Sequence, residues 1–510
     1  MSHNHLVGVG GSGCRCIESV IHFAAAGLGP SSLTLAYVDA DRGNGNLQRA
    51  TDLAGLYTRL WKSFRQAGAS HRLSEDLPWL RTEIRHGPEH FWSPVPDGGD
   101  HTLSGLFNYA ATMPNPERAL FDSLFSSRSG SNEKTMRLNE GYRGRPHIGA
   151  AVTGARASSR HAFWADMANV IRKAKEGEKV RIFLIGSIFG GTGASGFPVI
   201  ARKVRYLLEK HQVNAGVTVG GALLLPYFRY PRPDPERHRD AIASDVFLPQ
   251  AQAALRYYQQ MMKAAPLFDN LYVVGWPSLI ETKSSEPGGR AQANPPMAPE
   301  MVVANAAMRF FRQEEIQPGK LYVPGWSPQA KFDWSYLPTA VADGLPTPKR
   351  AFAQLLRFAF ALNRVYGPYL GDDLVAEVED HPWFLRLIAE ANVDVRDDSV
   401  RKVVKDAADF CEMVMRWCAS INFVSKTDAM DVNLFTAQAL ASNDTWRDGL
   451  AELHTRLEAT HEDFFPNLVP DGEGSELWEL YDDLTYKPVA DGDGLGAFVG
   501  TLYRQCAVNT

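Results

Sequence analysis

The stretch IFLIGSIFGGTGASGFPVIA, residues 182–201, decides how the chain is read. Its apolar run, Ile182 to Ile185, reads as a buried strand. The run breaks into Gly190-Gly191-Thr192-Gly193, and a helical pattern resumes from Pro198. Glycines at such a turn leave main-chain N–H groups bare at a helix N-terminus, where aligned peptide dipoles favour an anion. Thr192 adds a hydroxyl beside them. A second loop of this kind, GVGGSGCR (8–15), joins the strand HLVGVG (5–10) to the helix CRCIESVIHFAAAG (14–27). It holds the spacing Gly8-x-Gly10-x-x-Gly13, and Asp39 and Asp41 end the next strand, LTLAYVDAD (33–41). Neither loop contains the lysine of a Walker A motif. Together they point to a site that grips polyphosphate mainly with backbone. The plainer reading of GGTG, a tight strand-to-helix turn without ligand, stays open here.

Outward from these loops, strands and helices alternate. The helix RHAFWADMANVIRKAKEG (160–177) precedes the strand VRIFLIG (180–186), and PVIARKVRYLLEKH (198–211) precedes GVTVGGALLL (216–225). VFLPQAQAALRYYQQMMK (246–263) then leads to DNLYVVGW (269–276). Repeated β-α-β is the pattern of a parallel sheet with helices on both faces, so the expected class is α/β. Residues 43–142, rich in loop signals but with a helix candidate at 53–68, read as an insertion in a domain covering 1–296. A connector covers 297–347, with a helix at 301–315 and an irregular segment at 316–347. Residues 348–510 read as a helical domain. Val403, Ala407, Phe410, Val414, Trp417 and Ile421 recur three and four apart there, as do Trp446, Leu450, Leu453 and Leu457, which predicts packed helix faces.

Composition narrows the function classes. The 510 residues carry a formal charge of -5, which gives no reason to expect nucleic acid or an anionic membrane as partner. The longest apolar stretch, VTVGGALLLPYF (217–228), is shorter than the roughly 20 residues a membrane span needs. Five cysteines, few and odd in number, suit a reducing cytoplasm. Cys14 and Cys16 have no second pair at ligand spacing, and no metal ligands are assigned.

GGTGASG, with IGSIF before it, resembles the signature loop of the tubulin/FtsZ superfamily, and the likeness continues in order along the chain. GVGGSG resembles that family's first phosphate loop, YVDADRGNGNL (37–47) its second, and RPHIGAA (145–151) the third, which closes over the terminal phosphate and its metal. DNLYVVGWP (269–277) resembles the strand leading to the base pocket, MVVANAAMRFF (301–311) the central helix, and KFDWSYL (331–337) the catalytic loop. The resemblance implies a Rossmann-like sheet of the tubulin/FtsZ GTPase type, GTP or GDP with Mg²⁺, and a homo-oligomer or filament. In that family the catalytic loop reaches into the next subunit. It assigns nucleotide contacts to Gly10, Gly11, Ser12, Gly13, Cys14, Arg15, Asp39, Gly144, Gly149, Gly190, Gly191, Thr192, Gly193 and Ala194. Glu236 and Arg239 fall where the family contacts ribose, and Trp276 and Asn305 where it contacts the base. Asp333 matches one acidic position of the catalytic loop.

Departures from the pattern bear on activity. Trp276 stands at or beside the family's base-reading Asn, and an indole mainly stacks. Tyr336 occupies the second acidic position of the catalytic loop and Lys331 that of its Asn. The expectation is therefore a slow GTPase assembling head-to-tail, or a nucleotide-binding scaffold without turnover that takes a protein partner through its C-terminal helices. A third class, an NAD- or FAD-dependent Rossmann oxidoreductase using Gly8, Gly10, Gly13 and Asp39, leaves the GGTG loop idle.

Overall fold

The structure, a computed structural model, describes residues 2–66, 68, 71–98, 101–109, 113–127, 132–157, 161–231, 244–282, 289–313, 316–326, 331–338, 346–366, 382–435 and 492–507. The chain opens with β1 (Ser2–Val9), α1 (Gly10–Ala25), β2 (Ser32–Val38), α2 (Gly45–Trp61), β3 (Glu83–Arg85) and β4 (Phe91–Trp92). Short α3 (Leu103–Leu106) and α4 (Asn115–Leu124) precede α5 (Pro146–Arg156), α6 (Ala162–Lys173), β5 (Lys179–Ser187), α7 (Gly191–Lys210) and β6 (Val217–Leu224). Next come β7 (Phe228–Arg229), α8 (Phe247–Ala264), β8 (Asn270–Val274), β9 (Ile280–Glu281), α9 (Ala298–Arg312) and β10 (Lys320–Tyr322). The rest is β11 (Lys331–Phe332), α10 (Pro348–Phe360), α11 (Pro382–Glu390), α12 (Asp398–Val424), β12 (Asp431–Val432) and α13 (Leu495–Gln505).

The main sheet runs β10-β8-β6-β5-β1-β2-β3, with β4 also pairing to β2, and every pairing in it is parallel. Its central strands are buried on both faces, so they read as continuous apolar runs: Ile182, Phe183, Leu184 and Ile185 are all fully buried. The chain leaves β1 toward β2 on one side and β5 toward β6 on the other. Right-handed crossovers therefore send α1 and α7 to opposite faces, and the order of strands reverses between β1 and β5. The expected α/β class, with a parallel sheet and a helical C-terminal region, is what the chain forms.

The layer containing α1 is thick. Helix α9 packs on α1 and on β5, β6 and β8, and all of its residues except Arg309 and Arg312 are buried. Helix α12 lies against α2 and α10, with Trp417 packed on His22 of α1 at 4.8 Å between ring centroids and on Phe352 of α10 at 5.5 Å. The stripe expected on this helix is real: Ala407, Phe410, Val414, Trp417 and Ile421 are buried and Val403 half-buried. The stripe from Trp446 to Leu457 lies outside the described residues. One continuous apolar cluster joins Leu6 of β1 to Cys506 just after α13.

Two stretches differ from the sequence reading. Residues 45–92, read as part of an insertion, contribute α2 and the edge strands β3 and β4 to the main sheet. Strands of two or three residues are too short to show alternation. The helix α2 starts at Gly45, earlier than expected, because the Asn44 side chain caps it through the Asn46 N–H at 2.9 Å. A separate small cluster of Val95, Leu103, Phe121, Leu138, Tyr142 and Ile148 gathers the middle of the segment.

Helix α7 likewise begins at Gly191 rather than Pro198, so the proline sits inside it. A proline there has no N–H for the carbonyl four residues back, that of Ala194. The Tyr258 hydroxyl of α8 donates to that oxygen instead, at 2.7 Å. Tyr258→Phe leaves a buried acceptor unmet, and we expect a loss of about 1–3 kcal/mol in urea unfolding. An unchanged midpoint would mean that the proline needs no such partner.

Candidate functional site

Strands β1 and β5 are neighbours, with Val9 opposite Gly186, so the loops that follow them leave the sheet side by side at the point of strand reversal. They touch. Gly10 has φ +71, the left-handed region that favours glycine, and a Cβ there would lie 3.0 Å from the Gly193 nitrogen and 3.2 Å from Thr192 Cβ. A Cβ on Gly193 would lie 2.8 Å from Ser187 Oγ and 2.9 Å from both the nitrogen and the oxygen of Ser187. Only bare backbone fits at this junction.

Helices α1 and α7 start at the junction, and neither has a side-chain cap or an acidic residue in its first turn. Helices α2, α10 and α12 are capped, by Asn44, Thr347 and Asp397, whereas α4, α5, α8 and α13 share the open N-terminus of α1 and α7. The first N–H groups of a helix have no intrahelical partner, so two uncapped N-termini opening on one space form a strong anion-attracting arrangement. That space is a cleft of about 680 Å³, counted to its open mouth and bordered by Gly10, Gly11, Ser12 and Gly190 to Gly193.

Asp39, at the carboxyl end of β2, stands on the cleft wall. One of its oxygens, Oδ1, accepts from Thr192 Oγ1 and from the Asp41 N–H, both at 3.2 Å. The other, Oδ2, is buried and has no hydrogen-bond partner among the described residues. Burial first, and the neighbouring Asp41 second, push this carboxyl up to about 7. Asp41 accepts from the N–H groups of Gly43 at 2.9 Å and Gly289 at 2.6 Å.

A pH dependence follows. Between about pH 4 and pH 7 the folded Asp39 holds a proton that the unfolded chain has released, so this group's contribution to stability falls as pH rises through that window. Asp39→Asn removes the dependence, and melting temperatures across pH 4.5–8 should converge at the acid end and separate toward pH 8, the variant melting higher. Parallel curves would contradict the assignment.

Arg15, in the second turn of α1, also borders the cleft but is only 1 % exposed. Its Nε lies 2.9 Å from Glu300 Oε1 in α9, Nη2 donates to the Tyr227 hydroxyl, and the guanidinium stacks 4.9 Å from the Phe228 ring centre. Tyr227 in turn donates to Glu300 at 2.7 Å. Burial opposes the charge on Arg15 most strongly, but Glu300, with smaller help from Tyr227, Tyr230 and Cys16, outweighs it and holds the guanidinium protonated. Burial raises the Glu300 carboxyl, and Arg15 pulls it back.

A strap formed by residues 289–294 faces the loop after β2. Gly45 N–H donates to Gly289 O at 3.1 Å, Asn294 N–H to Asn46 Oδ1 at 2.9 Å, and Arg49 to Asn294 O at 2.8 Å. Gln292 accepts from Asn44 Nδ2 at 2.7 Å and reaches the Tyr230 hydroxyl at 3.5 Å. The loop before α5 closes another side: Tyr142 and Gly144 border the cleft, and a Cβ on Gly191 would meet Tyr142 Cβ at 2.8 Å.

Of the residues singled out in the sequence, Gly10, Gly11, Ser12, Arg15, Asp39, Gly144, Gly190, Gly191, Thr192 and Gly193 border this cleft together. Gly13 instead lets α1 approach the sheet, since its Cβ would meet Ile185 O at 2.8 Å. Cys14 is a buried free thiol, Gly149 packs against Ser195 and Tyr142, and the Ala194 carbonyl is held by Tyr258. Trp276 lies in a different aromatic group, with its Nε1 donating to Ser425 O at 3.3 Å and its ring 5.3 Å from that of Phe332. Asn305 is buried in α9 and donates to Pro338 O at 3.2 Å. Asp333 caps a short turn through Ser335 N–H at 2.9 Å. Its neighbour Phe332 packs on Trp276, just past the end of β8, which puts Asp333 at the carboxyl end of the strands, the same end as the cleft. Glu236 and Arg239 lie outside the described residues.

Sequence reasoning did not select Asn44, Asn46, Glu300, Phe228, Tyr230, Gln292 or Asn294. Asn44 could have been found as a helix cap; the residues of the strap sit in a Pro/Gly-rich stretch that carries no local signal. No protein-family model matches the chain, and a search of curated proteins finds no match to it. No helix among the described residues is long and apolar enough to cross a membrane.

Proposed function

We propose that the chain is a nucleotide-binding protein of the tubulin/FtsZ kind, gripping the phosphates of a guanine nucleotide between its two glycine loops. The observation that carries this reading is the contact of Gly10 with Thr192 and Gly193, which turns two uncapped helix N-termini toward one cleft. Polyphosphate suits such a pair better than a single anion does. A dinucleotide reading explains only the first loop, whereas Asp39 is tied to Thr192 of the second.

Mg²⁺ fits the same place. It favours oxygen ligands and keeps several waters, taking one or two carboxylates plus phosphate oxygens. Asp39 Oδ2 is a buried oxygen without a partner among the described residues, and Thr192 brings a hydroxyl beside it. Among the described residues no three metal-binding side chains converge, so phosphate and water would supply the other ligands. A bound cation there would neutralise phosphate charge.

Turnover and assembly are separate questions. A head-to-tail neighbour would complete the cleft with a group from its opposite end, whereas Asp333 stands at the cleft's own end. This favours binding without turnover in trans, the scaffold reading, over a filament-linked GTPase. Calorimetric titration with GTP, GDP, tripolyphosphate, ATP and NADH tests the proposal. Guanine nucleotides and tripolyphosphate should bind, and NADH should not. Exclusive binding of NADH would replace the proposal with the oxidoreductase reading. GTP hydrolysis rising faster than linearly with protein concentration would restore the filament reading.

A further inference from the structure

Helices α7 and α8 are neighbours on the sheet face opposite α1, where Arg202 of α7 donates to the Tyr257 hydroxyl of α8 at 3.3 Å. Their charge sets them apart. The two helices hold six lysines and arginines against one acidic residue, Glu209, a net +5 in a chain of -5, so the remaining residues carry -10. Arg205 is paired with Asp269 at 3.2 Å; the other five cations have no ion-pair partner among the described residues. Arg202, Tyr206 and Lys210 recur four apart along α7, and Gln252, Arg256, Gln259 and Lys263 three and four apart along α8, all of them exposed. Tyr206 is 49 % and Tyr257 50 % exposed, and Lys203 Nζ lies 4.8 Å from the centre of the Tyr206 ring. Exposed Leu248 and Leu255 extend the apolar part along one flank of α8. Like charges feel one another here: Lys203 is held below the usual lysine range, by burial first and by Lys210 second. Burial, then Arg172, Lys210 and Lys175, lower His211 at the end of α7. A field of one sign over exposed rings suits a ligand of the opposite sign that also brings apolar groups.

We infer that the outer face of α7 and α8 docks an acidic polypeptide segment, whose carboxylates meet Arg202, Lys210, Arg256 and Lys263 and whose apolar side chains rest on Tyr206 and Tyr257. The inference is independent of the nucleotide reading. Charge and its extent decide the class of partner. At physiological ionic strength the field of an exposed charge fades over about 8 Å, so a short segment feels only these two helices. Duplex DNA longer than α7, roughly 30 Å, would run past the patch toward a remainder that is net negative. A bilayer needs apolar side chains along the crest of a helix, and here arginine, lysine and glutamine hold that line. Carboxylates on a flexible chain can meet separated cations one by one.

The test is fluorescence anisotropy on the full chain at low salt, with a labelled peptide of glutamates interrupted by leucine and tyrosine. Duplex DNA and vesicles containing phosphatidylserine are run beside it. The peptide should bind, and more weakly as salt rises. Lys210→Glu/Arg256→Glu should lower its affinity by about tenfold, because two attractions become repulsions. Lys402→Glu/Lys405→Glu, at exposed positions of α12, makes the same change in net charge and should leave affinity within about twofold. All four residues are exposed, so both variants should keep the fold, which circular dichroism checks. Equal losses in the two variants, or no binding of the peptide by the wild type, overturn the inference. Tighter binding of DNA or of vesicles than of the peptide also overturns it, and names that class as the occupant instead.

Discussion

Gly193→Ala should abolish binding of both tripolyphosphate and GTP, with a loss of at least 100-fold in affinity by calorimetry. The added methyl would sit within 2.9 Å of the Ser187 main chain, which has no rotamer to turn away. Ser187 is the last residue of β5 and is held in register with Leu224 of β6, so the first turn of α7 must yield. That turn carries Thr192, hence its bond to Asp39, and sits against Gly10. The N–H groups of two helices then lose their common focus, in a site where a small misplacement is expensive. Overpacking alone should cost about 1–3 kcal/mol of stability, so the variant ought to remain folded. Gly154→Ala, in α5 with nothing within 4 Å of the added carbon, is the control and should bind normally. Affinity within threefold of wild type in Gly193→Ala would refute the proposed grip.

The second large effect is on stability. Arg15→Met strands the Glu300 carboxylate, 0 % exposed, without its counter-charge. Breaking one side of a buried ion pair typically costs about 3–5 kcal/mol, because the surviving charge stays desolvated. The carboxyl of Glu300, already raised by burial, then loses the group that pulls it down. A carboxyl whose folded pKa exceeds its unfolded one loses stability as pH rises, so the variant should be weaker at pH 8 than at pH 5. Arg15→Met/Glu300→Gln removes both charges and should recover most of the loss. Urea midpoints at the two pH values decide. Equal destabilisation in the single and double variants would show that packing around Phe228, rather than charge, is what Arg15 provides.

The sheet was legible because its strands are long apolar runs, Ile182 to Ile185 above all, separated by glycine turns. The loops at Gly10 and Gly190 to Gly193 were legible for the same reason: bare backbone is visible in a sequence. What stayed hidden depends on distance along the chain. Tyr258 serves the carbonyl that Pro198 leaves open from 64 residues beyond Ala194, and no local pattern announces that. The strap at 289–294 lies in a Pro/Gly-rich stretch, yet its Gly289 and Asn294 bond residues 248 positions away. Asp333, Trp276 and Asn305 sit in short motifs, and a motif fixes residue type without fixing which partners the folded side chain meets: Trp276 bonds Ser425, Asn305 Pro338 and Asp333 its own turn.

The packing of Trp417 between His22 and Phe352 bears on how this chain can be divided. Its indole N–H donates to Ser19 of α1 at 3.3 Å, within the same helix whose N-terminus opens on the cleft. Cutting the chain before α10 would strip aromatic cover from the back of that helix and leave an oily wound in place of an interior. The ligand-facing portion is therefore not a detachable cassette; it is moored from behind by α10 and α12.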